Sequence, residues 1–166
     1  MNPKLESWFR EYDQYHRHPM NRATHKVAIP LIVFHVVAMC AWLPLFDIGG
    51  HPVTFAHVVI VATTAFYLSV SALYAVLMAV ATSLCLMAAL WLEATVGVQT
   101  ARAAVVGVAI LAWVVQLAGH AVWEKRSPAF LRNLVQALVG PIYFFALLLG
   151  HWRAPEWVDP RAVSAK

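Results

Sequence analysis

Charge is nearly absent from three long stretches of this chain. Between residues 27 and 92 the only formal charge is Asp47, and there is none in 103–123 or 133–152. A helix needs about 20 apolar residues to cross a hydrocarbon core of roughly 30 Å. Helix is the state these stretches must take, because a lone strand would leave its amides unpaired in lipid. The pattern predicts a first span at 27–46, with Pro30 in its first turns and Pro44 near its end, and then a Gly/Pro-rich turn at 47–52. As one helix, residues 53–92 would reach about 60 Å, twice the core, so they divide into spans at 53–69 and 73–92. A polar loop at 93–102, a span at 103–123, a charged loop at 124–132 and an apolar segment at 133–150 follow. Gly140-Pro141 interrupts this last segment and allows it to be re-entrant. Ahead of them all, Leu5, Trp8, Phe9, Tyr12 and Tyr15 recur at helical spacing among charged residues. They predict an amphipathic helix on the membrane surface, ended by Pro19.

The expected fold is therefore all-α: a polytopic transmembrane bundle of about five apolar helices behind an N-terminal surface helix. One membrane-embedded domain covers 1–166, with the surface helix and histidine motif in 1–25, the bundle in 26–152 and a polar tail in 153–166. Composition agrees. The chain is 61% hydrophobic and 12% charged, against about 45–50% and 25% in soluble domains. A chain this short has too little interior to hide so much apolar surface.

The net charge of +4 sits beside apolar segments, which points to lipid headgroups rather than nucleic acid. Lys4, Arg10, Arg17, Arg22 and Lys26 precede the first span, and Lys125, Arg126 and Arg132 lie in the 124–132 loop. Four spans separate the two basic segments, so they share one side, expected to be cytoplasmic. Arg153, Arg161 and Lys166 would then fall outside if the last segment crosses, against the same rule. Cys40 and Cys85 lie in apolar runs without metal or disulfide spacing.

Two clusters carry chemistry. The first is Tyr15-His16-Arg17-His18-Pro19-Met20-Asn21-Arg22-Ala23-Thr24-His25. On one straight helix His16 and His25 would point about 180° apart. A break at Pro19 lets the chain fold back and bring them together, with Thr24 or Asn21 capping the helix that begins near His25. In the second cluster Gln116, His120 and Glu124 form a polar stripe at i, i+4, i+8 on an apolar helix. Such a stripe must face protein, water or a metal, and Gly119 lets a neighbouring helix approach beside it. Span parity brings both clusters to one membrane face. His16, His25, His120 and Glu124 are then a ligand set for Fe(II), Mn(II) or Zn(II). His35 and His57 read as hydrogen-bonded interhelical histidines. His51 and His151 read as loop residues, and Trp42, Trp91, Trp123 and Trp152 as interface anchors.

At these clusters the chain resembles the small membrane proteins typified by the yeast 2-hydroxy fatty acid dioxygenase of phytosphingosine breakdown. The matching residues are Tyr15-His16, Pro19, Asn21, His25 and Pro30, then Trp113, Gln116, Gly119-His120, Glu124-Lys125-Arg126, Pro128-Ala129, Asn133-Leu134-Val135-Gln136 and Pro141. The motif GHxxxEKRxPA is the specific part. Residues 46–102 match only in being apolar. The resemblance implies an Fe(II)-dependent enzyme of fatty acid α-oxidation, with 2-hydroxy fatty acid and O2 as substrates and His16, His25 and His120 as catalytic metal ligands. Glu124 joins them as a ligand or as an orienting partner of His120. Arg17, Arg22, Lys125 and Arg126 are the cations placed to pair with the substrate carboxylate. The site would face the cytoplasm, from a bacterial inner membrane or a eukaryotic endoplasmic reticulum. Two other classes compete: a non-catalytic lipid-binding scaffold, and a metal transporter, which would carry ionisable residues deep in its spans.

Overall fold

The computed structural model describes residues 1–157. Helix α1 covers Pro3–Tyr15 and starts cleanly, because Pro3 takes the first helical position and the Asn2 side chain accepts from Lys4 N at 2.9 Å. Helix α2 covers Pro19–Ala41. It opens earlier than hydropathy suggests: Pro19 is its first residue, and His18, rather than Thr24 or Asn21, caps it by accepting from Met20 N. Pro30 lies inside it.

The turn expected at 47–52 is the tip of a small antiparallel hairpin, β1 (Pro44–Ile48) and β2 (His51–Thr54). Gly49 and Gly50 both hold positive φ, 58° and 82°, as a two-residue hairpin turn with the twist of its strands requires. Pro44 and Pro52 mask these strands in the sequence, since proline argues against a strand unless the strand is an edge. Helix α3 (Phe55–Leu68) returns along the bundle, and α4 (Ala72–Val96) follows after three residues. The polar loop expected at 93–102 is a single residue. Gly97, at φ 84°, joins α4 to α5 (Val98–Gly119), and Glu93 pairs with Arg102 across the joint at 3.1 Å. Helix α5 runs on through a π turn, His120–Glu124. A 3₁₀ turn at Ala129–Leu131 leads to α6 (Val135–Leu148), which passes through Gly140-Pro141 unbroken.

Among the described residues three helices are long and apolar enough to cross a membrane: Pro19–Ala41, Ala72–Val96 and Val98–Glu124. Helices α3 and α6 are shorter, at 14 residues each, or about 21 Å. Val61, Val76, Met87 and Ile110 stand exposed on the outer faces of α3, α4 and α5, where lipid solvates them.

The last apolar segment does not run down the bundle. Tyr67 ends α3 and Tyr74 opens α4, so both mark the same end. The Tyr67 hydroxyl donates to Leu138 O at 2.8 Å, and Tyr74 Oη meets His151 Nδ1 at 3.3 Å. Helix α6 thus lies across that end, paired with α1. This places residues 150–157, Arg153 among them, at the same end as the N-terminal segment, and removes the charge conflict for Arg153. Arg161 and Lys166 lie outside the described residues.

The amphipathic face of α1 meets protein. Leu5, Phe9 and Tyr12 are buried with Tyr67, Tyr74, Val139, Ile142 and Tyr143. Phe9 packs edge-on against Tyr74, Tyr143 and Trp152, and Trp8 stacks on Phe66. Burying each large side chain contributes about 1.5–3 kcal/mol. At the centre of this layer Asp13 accepts hydrogen bonds from the Tyr143 hydroxyl and from Trp152 Nε1. Trp152 is therefore a packing partner of α1 and not simply an interface anchor. Burial raises the Asp13 pKa, and the two donors offset part of that cost.

Trp152→Phe keeps an aromatic ring, though a smaller one, and removes one donor to the buried carboxylate. It should cost about 1–3 kcal/mol of stability, read as a lower unfolding temperature in detergent. Leu148→Ala, at a highly exposed site, should shift it by less than about 0.5 kcal/mol.

Candidate metal centre

His16 follows the last residue of α1, His25 lies in the second turn of α2, and His120 opens the π turn after α5. All three are buried, and their ligating nitrogens lie within 4.8 Å of one another. His25 Nε2 and His120 Nε2 are 3.1 Å apart. Two nitrogens on one ion, at about 2.1 Å each, can be separated by no more than about 4.2 Å. In a tetrahedral arrangement the nitrogens stand about 3.4 Å apart, so closure around an ion needs at most about 1.4 Å of movement at the widest pair.

Local sequence sets each ring. His16 Nδ1 donates to Tyr12 O at 2.7 Å and His25 Nδ1 to Asn21 O at 2.8 Å, both to the carbonyl four residues back. With Nδ1 protonated, each Nε2 keeps its lone pair for a metal. His16 also stacks on Tyr12, with ring centroids 3.8 Å apart. Burial, then the neighbouring His25, holds its pKa well below the usual histidine range, so it stands as a neutral donor. Its backbone carbonyl accepts from Arg22 Nε at 2.6 Å.

Gly119 brings His120 to the others. A Cβ there would sit 2.5 Å from both Asn21 Oδ1 and Thr24 Oγ1, so only glycine lets α5 approach α2 this closely. The π turn follows at once. Such turns concentrate at functional sites, and this one ends at Lys125 in the left-handed region, φ 50°.

Glu124 stands outside the group of three. Its Oε1 accepts from His18 N at 2.8 Å and from Asn21 Nδ2 at 3.1 Å. It clamps the α1–α2 junction to the end of α5, and that junction carries His16. His18 is accounted for as a helix cap. His57 accepts from Thr54 N in its own helix cap, at 3.0 Å, rather than bonding between helices. His35 does bond between helices, to Trp113 Nε1 at 3.2 Å.

The surroundings fit an ion. Among the described residues the buried polar atoms without a partner are Asn21 Oδ1, Gln116 Oε1, His120 Nδ1 and both side-chain atoms of Gln136. All belong to the triad or to residues around it: Asn21 accepts from His25, Gln116 Nε2 lies 2.6 Å from His25 Nε2, and Gln136 shares a cavity with His16 and His120. An unmet buried polar group costs about 1–3 kcal/mol. Natural chains concentrate that cost where a ligand repays it.

Two cavities flank the histidines. A larger one, about 590 Å³, is lined by His16, His25, Arg22 and Lys26 and by apolar Ile29, Phe144, Leu147 and Leu148. A smaller one of about 80 Å³ touches His16 and His120. Of the four cations expected near a substrate, only Arg22 lines the larger cavity. Arg17 and Arg126 border an outer polar groove, while Lys125 and Arg126 border another groove that reaches His120. Lys26 lines the larger cavity in their place. In the sequence it reads as the last flanking charge of the first span. Yet it sits one position after His25, on a helix that already began at Pro19.

His120→Ala should abolish metal binding, measured as metal per chain after dialysis against Fe(II) or Zn(II). Glu124→Ala should keep full occupancy at saturation while weakening affinity roughly 10–100-fold; loss of the bound metal at saturation would instead make Glu124 a ligand. Gly119→Ala should cost about 1–3 kcal/mol and loosen the metal with it, since the two helices must separate.

A family described as Mpo1-like, 2-hydroxy-palmitic acid dioxygenase Mpo1-like, matches residues 3–152. The chain is 29% identical over 140 residues to a protein of Saccharomyces cerevisiae named 2-hydroxy-palmitic acid dioxygenase MPO1, covering 84% of this chain and 76% of that protein. No solved structure matches. The family match takes in α1, all four helices of the bundle, α6 and every residue of the triad, and the chain belongs to the Mpo1-like family.

Proposed function

We propose that this chain is an Fe(II)-dependent dioxygenase that converts a 2-hydroxy fatty acid and O2 to the acid one carbon shorter. One observation carries the reading: three buried imidazoles converge, and two of them, His16 and His25, line a cavity whose walls combine the cations Arg22 and Lys26 with apolar Ile29, Phe144 and Leu147. That is the shape of a receptor for a carboxylate head on a hydrocarbon tail. The family membership supports the same chemistry.

His16, His25 and His120 would hold the iron, leaving coordination positions free beside them. Bound there, Fe(II) supplies the site where the hydroxy acid and O2 meet and electrons pass between them. Overall, 2-hydroxy acid plus O2 gives the shortened acid, CO2 and water. The substrate supplies all four electrons that O2 accepts, so no second organic reductant enters. Lys26 draws the carboxylate in; it has no ion-pair partner among the described residues. Arg22 has spent two donors, on His16 O and on Pro155 O, and acts mainly to fix the wall. Ile29, Phe144, Leu147 and Leu148 take the acyl chain. The basic segments gathered at the end of the bundle that carries the site favour a cytoplasmic orientation.

A transporter reading loses ground on the bundle interior. The mid-span histidine, His35, is tied to Leu31 O and Trp113, so it offers no relay for an ion.

Purified protein stripped with a chelator should lose O2 uptake on 2-hydroxy fatty acids and regain it with Fe(II) but not with Zn(II). Full turnover in metal-free protein would end the proposal. Lys26→Met should raise KM for the hydroxy acid about 3–10-fold, as loss of a partly exposed charge pair does, with kcat little changed.

A further inference from the structure

Gln136 lies in the first turn of α6 and is 2% exposed. Neither its amide oxygen nor its amide nitrogen meets a partner among the described residues. It lines the 80 Å³ chamber together with His16, His120 and Gln116, and the remaining walls include Ile32, Val33, Trp113 and Phe130. Tyr12, His16, Ile29 and Gly140 border both this chamber and the larger cavity, so the two spaces reach the triad from different sides.

We propose that the small chamber receives O2 and that Gln136 is the residue that positions it. This rests on the dioxygenase reading above. A space of this size holds a diatomic molecule and excludes an acyl chain, which leaves the larger cavity to the hydroxy acid. The walls are mostly apolar, as suits a molecule that dissolves in hydrocarbon and arrives through the lipid-facing helices. O2 needs no hydrogen bond on entry. It needs one as electrons from the substrate build negative charge on its oxygens, and a donor fixed in advance in a dry site acts at that moment. The Gln136 N–H is such a donor, buried where a purely structural side chain would be apolar. Electrons and atoms balance as in the overall reaction, with the protons for water coming from the substrate hydroxyl, carboxyl and α-carbon.

The test uses Fe(II)-loaded protein with Gln136→Met, which keeps length and bulk without the donor, and Val33→Phe, which fills the chamber and spares Gln136. Bound iron per chain and KM for the hydroxy acid should stay within about twofold of the parent in both. In Gln136→Met, kcat/KM for O2 should fall roughly 100-fold, the loss typical of one missing donor to developing charge. Val33→Phe should raise KM for O2 without changing KM for the hydroxy acid. Nitric oxide serves as a probe independent of turnover: its electron paramagnetic resonance signal on the iron should change shape in Gln136→Met and weaken in Val33→Phe. An unchanged nitric oxide signal and an unchanged O2 dependence in either folded variant would overturn the assignment. So would a rise in KM for the hydroxy acid alone, which would give the chamber to the substrate head. If the parent protein binds no iron or consumes no O2, the dioxygenase reading itself falls.

Discussion

Everything at the histidine triad depends on how closely α5 can lie against α2. Helices packed through ordinary side chains keep their axes about 8–10 Å apart. At Gly119 the α5 backbone instead rests on Asn21 and Thr24, with no room for even one carbon between them. From that contact follow the 3.1 Å approach of His120 to His25, the reach of Glu124 to His18 N, and the seat of Gln116 against the same imidazole. One missing methyl group sets the spacing of a site whose donors are 95 residues apart in the chain.

The second constraint is the layer of α1 and α6 across the end of the bundle. It excludes water from the imidazoles, and it supplies His16 from one helix and Gln136 from the other. Asp13 is its polar pin. A buried carboxylate is costly unless it is well satisfied, and here a phenol and an indole from the distant C-terminal segment satisfy it. Packing alone would let α1 slide along α6. Hydrogen bonds at a fixed point set the register, and with it the position of His16 just beyond the helix end.

Much of this was legible in the chain. Uncharged runs revealed the helices, and the dense histidines around Pro19 with the stripe at Gln116, His120 and Glu124 pointed to the chemistry. What stayed hidden has physical reasons. Hydropathy reports apolar surface, not what covers it, so α6 against protein reads like a helix in lipid. The same ambiguity sent the apolar face of α1 to the membrane. The joint at Gly97 was masked by Glu93 and Arg102, polar residues that look like a loop but sit on helix ends and pair with each other. Glu124 has the spacing of a ligand; only the fold reveals that Asn21 and a backbone amide claim it. Lys26 had no distinguishing local signal, and Gln136 stood in a matching motif with no role to read from it, because each takes its meaning from a cavity assembled by other segments.

The pin between Asp13 and the C-terminal segment joins residues 130 and 139 positions apart. During synthesis α1 emerges before α2 to α5, and its partners on and after α6 emerge behind them. The four helices between them can enter the bilayer and pair while the first histidine still has no lid above it. The cover over the three imidazoles is therefore complete only after α6 has left the ribosome, later than the helices that carry His25 and His120.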